Sequence, residues 1–191
     1  MKTKLFLLFA VMFIFSMNLL AQTYPLVTLQ DIQGVPDSLL GTDPPSPLNG
    51  DTVRVQGIAL VSTVIDPDSN RGVIISAGAR WAGYIQDPES DLWGGLNIVQ
   101  NDTNGVAQGT FFDLVDSADI VEFTGIVTEY NTTTELILIT APQPIPVQII
   151  ENRPNRPAPI ELEIADLFTT SNGYNFDAEK YEGMLVIFRN V

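Results

Sequence analysis

The sequence contains no cysteine and no histidine, and these absences exclude several kinds of site. Without cysteine the chain has no disulfide and no thiol nucleophile. Without histidine it has no Ser-His-Asp triad, and with neither residue type it has no ordinary zinc site. The fold must therefore be held by packing and hydrogen bonds, with chemistry limited to carboxylates, hydroxyls, amides and a few cations.

Basic residues are also scarce, because nine Lys and Arg stand against 23 Asp and Glu, for a net charge of −14. Lysine and arginine normally supply most of a protein's affinity for the phosphate backbone of nucleic acids. The acidic balance therefore predicts that nucleic acid is a disfavoured partner. It also makes calcium the metal to consider, since this cation prefers carboxylate and carbonyl oxygens.

Residues 1–21 have the layout of a secretory signal peptide. Two lysines, Lys2 and Lys4, precede a long apolar stretch, and the small residue Ala21 stands before Gln22. This order predicts cleavage and export, so that the mature protein is secreted or held at the cell surface with no membrane span. An uncleaved N-terminal membrane anchor is the alternative. After cleavage, seven basic and 23 acidic residues remain, for a net charge of −16.

The rest of the chain divides by composition into a leader, a strand-rich region and a C-terminal part. Residues 22–50 are a leader whose second half is dense in Pro, Gly, Asp and Ser. Residues 51–140 alternate apolar and polar side chains with period two, in runs separated by turn signals. Runs of this kind are typical of all-β barrels and sandwiches. They predict a five-stranded OB-fold-like Greek-key barrel over residues 51–140.

Two of the longest runs, "VRVQGIALV" and "VEFTGIVTEY", carry a glycine near the middle, at Gly57 and Gly125. Glycine weakens an ordinary strand, but it tolerates the bulge or kink with which a barrel strand turns a corner. We therefore interpret both glycines as corner points. The alternative is that each glycine makes room for a bulky neighbour.

Residues 141–159 contain six prolines and are predicted to form an extended linker. A weak repeat follows, because a shift of 133 residues places Gly50 on Gly183 and Val53 on Val186. Residues 160–191 then have two interpretations, as the truncated start of a second similar module or as a closing strand of the first. The first interpretation predicts a longer parent protein whose other domains are partners of this region.

Aromatic and cationic residues gather on the predicted second and third strands. Trp81, Tyr84 and Trp93 lie there, with Arg71 and Arg80 nearby. In OB folds this face and its bordering loops form the usual ligand surface, where aromatic rings stack on bases or sugars. The alternative is that these rings fill the barrel or close its end.

Two acidic turns are candidate calcium sites. Asp66, Asp68 and Asn70 alternate in "DPDSNRG" as oxygen ligands do at the start of many calcium loops. An EF-hand is excluded because Arg71 and Ala77 occupy the positions that require glycine and an acid. A solvated turn is the alternative interpretation.

The second acidic turn, "IQDPESD", places Asp87, Glu89 and Asp91 after a predicted strand. Clustered carboxylates can hold a metal or exchange protons. No accompanying motif supports catalysis, so a calcium-stabilised loop and a plain turn remain, and no other cofactor is predicted.

Four segments resemble the OB-fold modules of large bacterial secreted nucleases and related surface proteins. They occur in order through residues 48–191: "LNGDTVRVQGIAL", "WAGYIQDP", "DIVEFTGIVTEYNTTTEL" and "YEGMLVIFRNV". Thr132 departs from the family pattern, which has glycine after "EYN", and "WAGY" replaces a bulkier aromatic run. The resemblance implies an accessory module beside a catalytic or adhesive domain, without catalysis in this stretch.

The sequence thus predicts a non-catalytic, exported binding or spacer module. One alternative is an accessory substrate-binding module of a secreted nuclease or phosphoesterase. Another is a structural repeat of a surface or filament protein.

Overall fold

A computed structural model describes residues 23–60, 75–77, 80–101, 114–153, 155–168 and 173–189. This part of the chain is mostly β, as the sequence predicts, with short helical segments between strands. The strands are β1 Leu26–Val27, β2 Thr52–Ala59, β3 Ile75–Ala77, β4 Arg80–Gln86, β5 Gly95–Asn101, β6 Ile120–Tyr130, β7 Thr133–Leu138, β8 Gln148–Glu151, β9 Ile160–Leu162 and β10 Val186–Phe188. The helices are α1 Leu29–Gln33 and α2 Ile164–Leu167, and 3₁₀ turns span Asp37–Leu39 and Phe176–Tyr181. No helix among these residues is long and apolar enough to cross a membrane.

Five strands pair in a ring, in the order β2, β4, β5, β7, β6 and back to β2. The β2–β6 pair is antiparallel from Thr52 to Ile58 of β2. The β5–β7 pair is parallel, and the remaining pairs are antiparallel. Because the order returns to β2, each of the five strands has a strand neighbour on both edges, which leaves little open edge within the ring.

The alternation of each strand sends one set of side chains to the interior of the ring. The helix α1 adds Leu29 and Ile32 to this core, and both are fully buried. It begins at a capping box, in which Asp31 N–H donates to Thr28 Oγ1 at 3.0 Å and Thr28 N–H donates to Asp31 Oδ2 at 2.9 Å. The core residues from the ring are Val53, Val55, Ala59, Ile85, Leu96, Ile98, Val121, Phe123, Val127, Leu136 and Leu138.

The two mid-strand glycines lie where neighbouring strands approach closely, and neither has a positive φ. A Cβ on Gly125 would lie 2.6 Å from the carbonyl oxygen of Ile137, and one on Gly57 would lie 3.1 Å from Ile85 Cδ1. Near Gly57 the strand β2 also changes partner, from β1 to β4. Close approach thus accounts for Gly125, while Gly57 combines close approach with the change of neighbour.

The predicted linker contributes to the sheet. Residues 148–151, which contain no proline, form β8 and pair with β6 between Ile120 and Glu122. Just before them, Val147 is buried in the core. Proline removes a ladder donor, so the proline-free centre of the stretch is the part that can pair as an added strand.

We expect Gly125→Ala to destabilise the fold more than Gly57→Ala. At Gly125 the new methyl meets backbone, which cannot move aside, whereas at Gly57 it meets the side chain of Ile85 first. Overpacking of this kind costs about 1–3 kcal/mol, and we expect Gly125→Ala at the upper end of that range. Urea denaturation of both variants measures the difference. Equal losses of free energy of unfolding would contradict the close-approach explanation.

Candidate binding surface on the outer face of the ring

A row of polar side chains crosses four strands on the outer face of the ring. Tyr84 of β4 lies opposite Asn97 of β5, Asn97 lies beside Glu135 of β7, and Glu135 lies opposite Thr128 of β6. Their sequence neighbours point inward, since Ile85, Ile98, Leu136 and Val127 belong to the core. We call Tyr84, Asn97, Glu135 and Thr128 the polar row.

Glu135 is the buried charge of the polar row, with 4% of its surface exposed. Arg80 Nη2 pairs with its Oε2, and Asn97 Nδ2 donates to its Oε1 at 3.3 Å. Burial raises the pKa of the Glu135 carboxyl, and the Arg80 charge opposes that rise. The guanidinium of Arg80 also lies 4.3 Å from the centre of the Tyr130 ring. Arg80 is therefore neutralised within the protein.

Two members of the polar row have hydrogen-bonding atoms without a protein partner. Among the residues that the structure describes, Asn97 Oδ1 is buried and accepts no hydrogen bond, and Thr128 Oγ1 is buried and neither accepts nor donates one. Such atoms carry a desolvation cost that a bound polar group or water would remove. The half-buried Tyr84 lies in the same row, where burial and the Glu182 and Glu135 carboxylates raise the pKa of its phenol. Its hydroxyl therefore remains protonated and able to donate.

A cavity of about 360 Å³ adjoins the row at Tyr84. Arg156 closes one side of it and donates from Nη1 to the carbonyl oxygen of Leu60 at 3.0 Å. The remaining lining consists of Leu60 and the backbone and side chains of residues 183–185. The cavity thus combines apolar walls, one phenol and one guanidinium.

Residues 180–185, which we call the docking segment, lie against the ring beside this cavity. Trp93 N–H donates to the carbonyl of Lys180 at 2.7 Å, and Leu185 N–H donates to Gln86 Oε1 at 2.8 Å. Thr134 N–H of β7 donates to Glu182 Oε1 at 3.2 Å. These bonds connect the C-terminal part of the chain to β4, to β7 and to the connection between β4 and β5.

Two glycines allow this close contact. A Cβ on Gly95 would lie closer than 3.0 Å to the backbone of Glu182, Gly183 and Met184. Gly183 has a φ of +68°, in the left-handed region that side chains disfavour. The backbone of "YEGM" therefore packs directly against the backbone at Gly95, and a side chain at that position would prevent the contact.

Glu182 is the most strongly perturbed carboxyl of the docking segment. Burial, with the nearby carboxylates of Glu129, Glu179 and Asp43, raises its pKa to about 7, against the effect of the Thr134 N–H. Glu129 is itself held by the Ser46 N–H at 2.7 Å and by the Thr134 hydroxyl at 3.0 Å. The burial and the neighbouring carboxylates therefore favour the protonated, neutral form of Glu182 over the charged form.

The five residues predicted to bind a ligand fall into three groups. Arg80 and Tyr84 lie on the outer face of β4. Trp81 points inward and packs against the core, and Trp93 is 8% exposed with a φ of +59°. Arg71 lies outside the described residues. The two indoles therefore take packing positions, and the outer face retains the phenol and the guanidinium.

The acidic turns do not form a metal centre in the part of the chain that the structure describes. Asp87 Oδ1 accepts from Glu89 N–H at 2.9 Å, as in an Asx turn, while Glu89 and Asp91 are exposed. No group of three or more acidic side chains among the described residues is placed to hold a cation. The other predicted set, Asp66, Asp68 and Asn70, lies outside those residues.

Sequence reasoning missed Asn97, Glu135, Thr128 and Tyr130. A signal was present, because Asn97 in "GLNIVQ" and Glu135 in "TELIL" each interrupt the apolar residues of a strand. The alternation marks each as outward-facing, but the register that brings them together joins residues 38 apart in the sequence.

No protein-family model matches the chain, and no curated protein matches it. Solved structures to which it is similar include a putative aspartyl-tRNA synthetase from Leishmania major Friedlin, at 10% identity and a TM-score of 0.40, over 72% of this chain and 22% of that chain. The OBody AM1L10 bound to hen egg-white lysozyme is 17% identical, with a TM-score of 0.36, over 55% of this chain and 84% of that chain. The second OB-fold domain of replication protein A from Methanococcus maripaludis is 13% identical, with a TM-score of 0.33, over 56% of this chain and 91% of that chain. The solved structures similar to this mostly β chain thus include OB-fold domains.

We expect Gly95→Ala to release the docking segment, because the new methyl would overlap the backbone of residues 182–184. Hydrogen exchange at the amides of Thr134 and Leu185 measures the release, and both should exchange at least about tenfold faster. Gly57→Ala is the control, since its methyl meets Ile85 and not the docking segment. Unchanged protection in Gly95→Ala would show that the segment is not held at this glycine.

We expect Glu182→Gln to stabilise the protein at alkaline pH relative to wild type. Glu182 has a folded pKa of about 7 against an ordinary 4.5, so the folded state keeps a proton that the unfolded state has lost. The stability of the folded state therefore falls by roughly 3 kcal/mol as pH rises from the unfolded to the folded pKa, and the loss levels off above that window. Glutamine does not ionise, so the variant does not lose this stability as pH rises.

Thermal denaturation from about pH 5 to pH 8 measures this effect as the difference in Tm between variant and wild type. The difference should grow with pH for Glu182→Gln and stay constant for Glu89→Gln, which changes an exposed carboxylate. A Tm difference for Glu182→Gln that does not change with pH would contradict the assignment.

Proposed function

We propose that this chain is an exported, non-catalytic binding module built on a five-stranded OB-fold-like Greek-key barrel. The pairing order of the ring and its parallel β5–β7 pair support the barrel. The layout of residues 1–21 supports export, and the lack of His and Cys supports a role without catalysis.

The ligand we propose is an uncharged polar molecule, with an oligosaccharide as the class that fits best. The observation that carries this proposal is the polar row, in which Asn97 Oδ1 and Thr128 Oγ1 have no hydrogen-bond partner within the described part of the chain and lie beside the protonated Tyr84. OB folds present this face to oligosaccharides as well as to oligonucleotides. Charge separates the two classes, because Arg80 is neutralised by Glu135 and the surrounding carboxylates repel phosphates.

The proposal includes the domain organisation of the C-terminal part. Residues 160–191 open a second module of the same type, and the docking segment fixes its position against the first. Both regions have the order of strand, short capped helix, 3₁₀ turn, positive-φ glycine and strand, which supports this organisation. An array of such modules also favours a second candidate function, as a structural repeat of a surface protein.

The test is a titration of the ¹⁵N-labelled chain with neutral oligosaccharides and, separately, with single-stranded oligothymidine at low salt. We expect a neutral oligosaccharide to shift the amides of Tyr84, Asn97 and Thr128. Tyr84→Ala should weaken binding about tenfold or more, since an aromatic stack contributes about 1–3 kcal/mol. Tyr174→Ala is the matched control, because Tyr174 is 76% exposed and lies outside the ring.

Binding of oligothymidine at the polar row without any saccharide binding would overturn the ligand class. No response to either probe would favour the structural-repeat function over a binding module.

A further inference from the structure

The C-terminal part of the chain repeats the geometry that opens the barrel. We call β1, α1, the following 3₁₀ turn and β2 the first unit, and β9, α2, the following 3₁₀ turn and β10 the second unit. In both units the first strand pairs in parallel with the last strand. The inference drawn from this repeat rests on the proposed second module and concerns what that module needs in order to be complete.

The two units agree residue by residue at their key positions. Val27 pairs with Val55 in the first unit, and Leu162 pairs with Phe188 in the second. The capping boxes also correspond. Thr28 and Asp31 cap α1 as Glu163 and Asp166 cap α2, with the N–H of Glu163 donating to Asp166 Oδ2 at 2.7 Å. The positive-φ glycines, Gly50 and Gly183, precede β2 and β10.

The units differ in burial, and the difference lies on one face. In the first unit Leu29, Ile32, Val53 and Val55 are at most 1% exposed. Their counterparts by position are Ile164, Leu167, Val186 and Phe188, which we call the open face. Ile164 is 54% exposed, and the other three are partly exposed. The same apolar pattern is thus covered in one unit and uncovered in the other.

The first unit shows what covers such a face. Strand β6 pairs antiparallel with β2 from Thr52 to Ile58, and its Val121 and Phe123 enter the core. The strand β10 pairs with β9 in the described residues, and no strand there occupies its other edge. An unoccupied edge beside an apolar face is a template for a further strand.

The charged residues of the second unit also favour a strand like β6 at this edge. In the first unit Gln56 Nε2 donates to Glu122 of β6 at 2.7 Å. The residue of the second unit at the position of Gln56 is Arg189, which is exposed and bonds Glu161 at 2.7 Å. An arginine there would meet the counterpart of Glu122 as an ion pair. Because the Arg189 side chain is 60% exposed while it pairs with Glu161 through Nε, its guanidinium has donors left for a carboxylate of an added strand.

We propose that the open face and the free edge of β10 form a docking surface for an acidic β-strand of the β6 type, supplied by the remainder of a second barrel. The strand runs antiparallel to β10, places alternate apolar side chains on the open face, and presents a carboxylate to Arg189. A second copy of this chain is not the occupant, because its own β6 already pairs within its ring.

The test uses the full chain and a fluorescein-labelled peptide with the sequence of residues 118–130, which carries β6. We expect peptide anisotropy to rise on titration with the chain, with affinity reduced about tenfold or more by Phe188→Asp. Ile150→Asp is the matched control, since Ile150 is 51% exposed on the edge strand β8 and should leave affinity unchanged. A peptide with Lys in place of Glu122 should bind less tightly than the parent.

Because Phe188→Asp could unfold the second unit, Arg189→Ala and Arg189→Lys provide an independent arm. Alanine should weaken peptide binding and lysine should preserve it, with the docking segment still protected from hydrogen exchange at Leu185. Absent peptide binding, equal binding by the Phe188 and Ile150 variants, or concentration-dependent dimerisation lost in Phe188→Asp would each overturn the proposal. None of these outcomes involves Tyr84, so they are distinguishable from a failure of oligosaccharide binding.

Discussion

The rest of the structure depends on the two-sided pairing of β2. Seven consecutive residues of this strand pair with β6, while its end pairs with β4, which is how the ring closes. Closure gives the apolar alternation of five strands a common interior and gives α1 a core to cover. The registers of the β4–β5 and β5–β7 pairs, which lie within the same ring, bring Tyr84, Asn97 and Glu135 into one outer row. A ring open at β2 would uncover the core, because Val53 and Val55 of β2 belong to it.

The outer face of the ring carries one buried carboxylate, Glu135, that is paired and hydrogen-bonded within the protein. Glu135 is almost fully buried, and burial of a carboxylate is costly unless it is paired and hydrogen-bonded. Arg80 and Asn97 provide those partners, and Tyr130 supports the guanidinium. The result is a surface with oriented polar groups and little free positive charge. Such a surface offers a phosphate chain few free cations to pair with, in keeping with the excess of acidic residues in the whole sequence.

Local pattern predicted the mostly β fold, because period-two alternation and turn residues are visible within short windows. It also placed Tyr84 and Arg80 on one strand, and both side chains lie on the outer face of β4; their role in binding stays a prediction. It left open whether Trp93 binds a ligand or packs, and the structure buries this residue to 8% exposure at a φ of +59°. It did not predict that the proline-rich stretch contains β8. Nor could it predict the docking segment, in which Leu185 bonds Gln86 across 99 residues. Contacts of that range depend on the closed ring and not on neighbouring residues.

The central claim is ring closure through β2, and nuclear Overhauser effects across the two decisive strand pairs test it most directly. We predict cross-strand contacts between Val53 and Gly125, and between Ile98 and Leu136, in the same sample. The second pair must show the parallel pattern and the first the antiparallel one. Observation of the β5–β7 contacts without those between β2 and β6 would show an open sheet and would contradict the account.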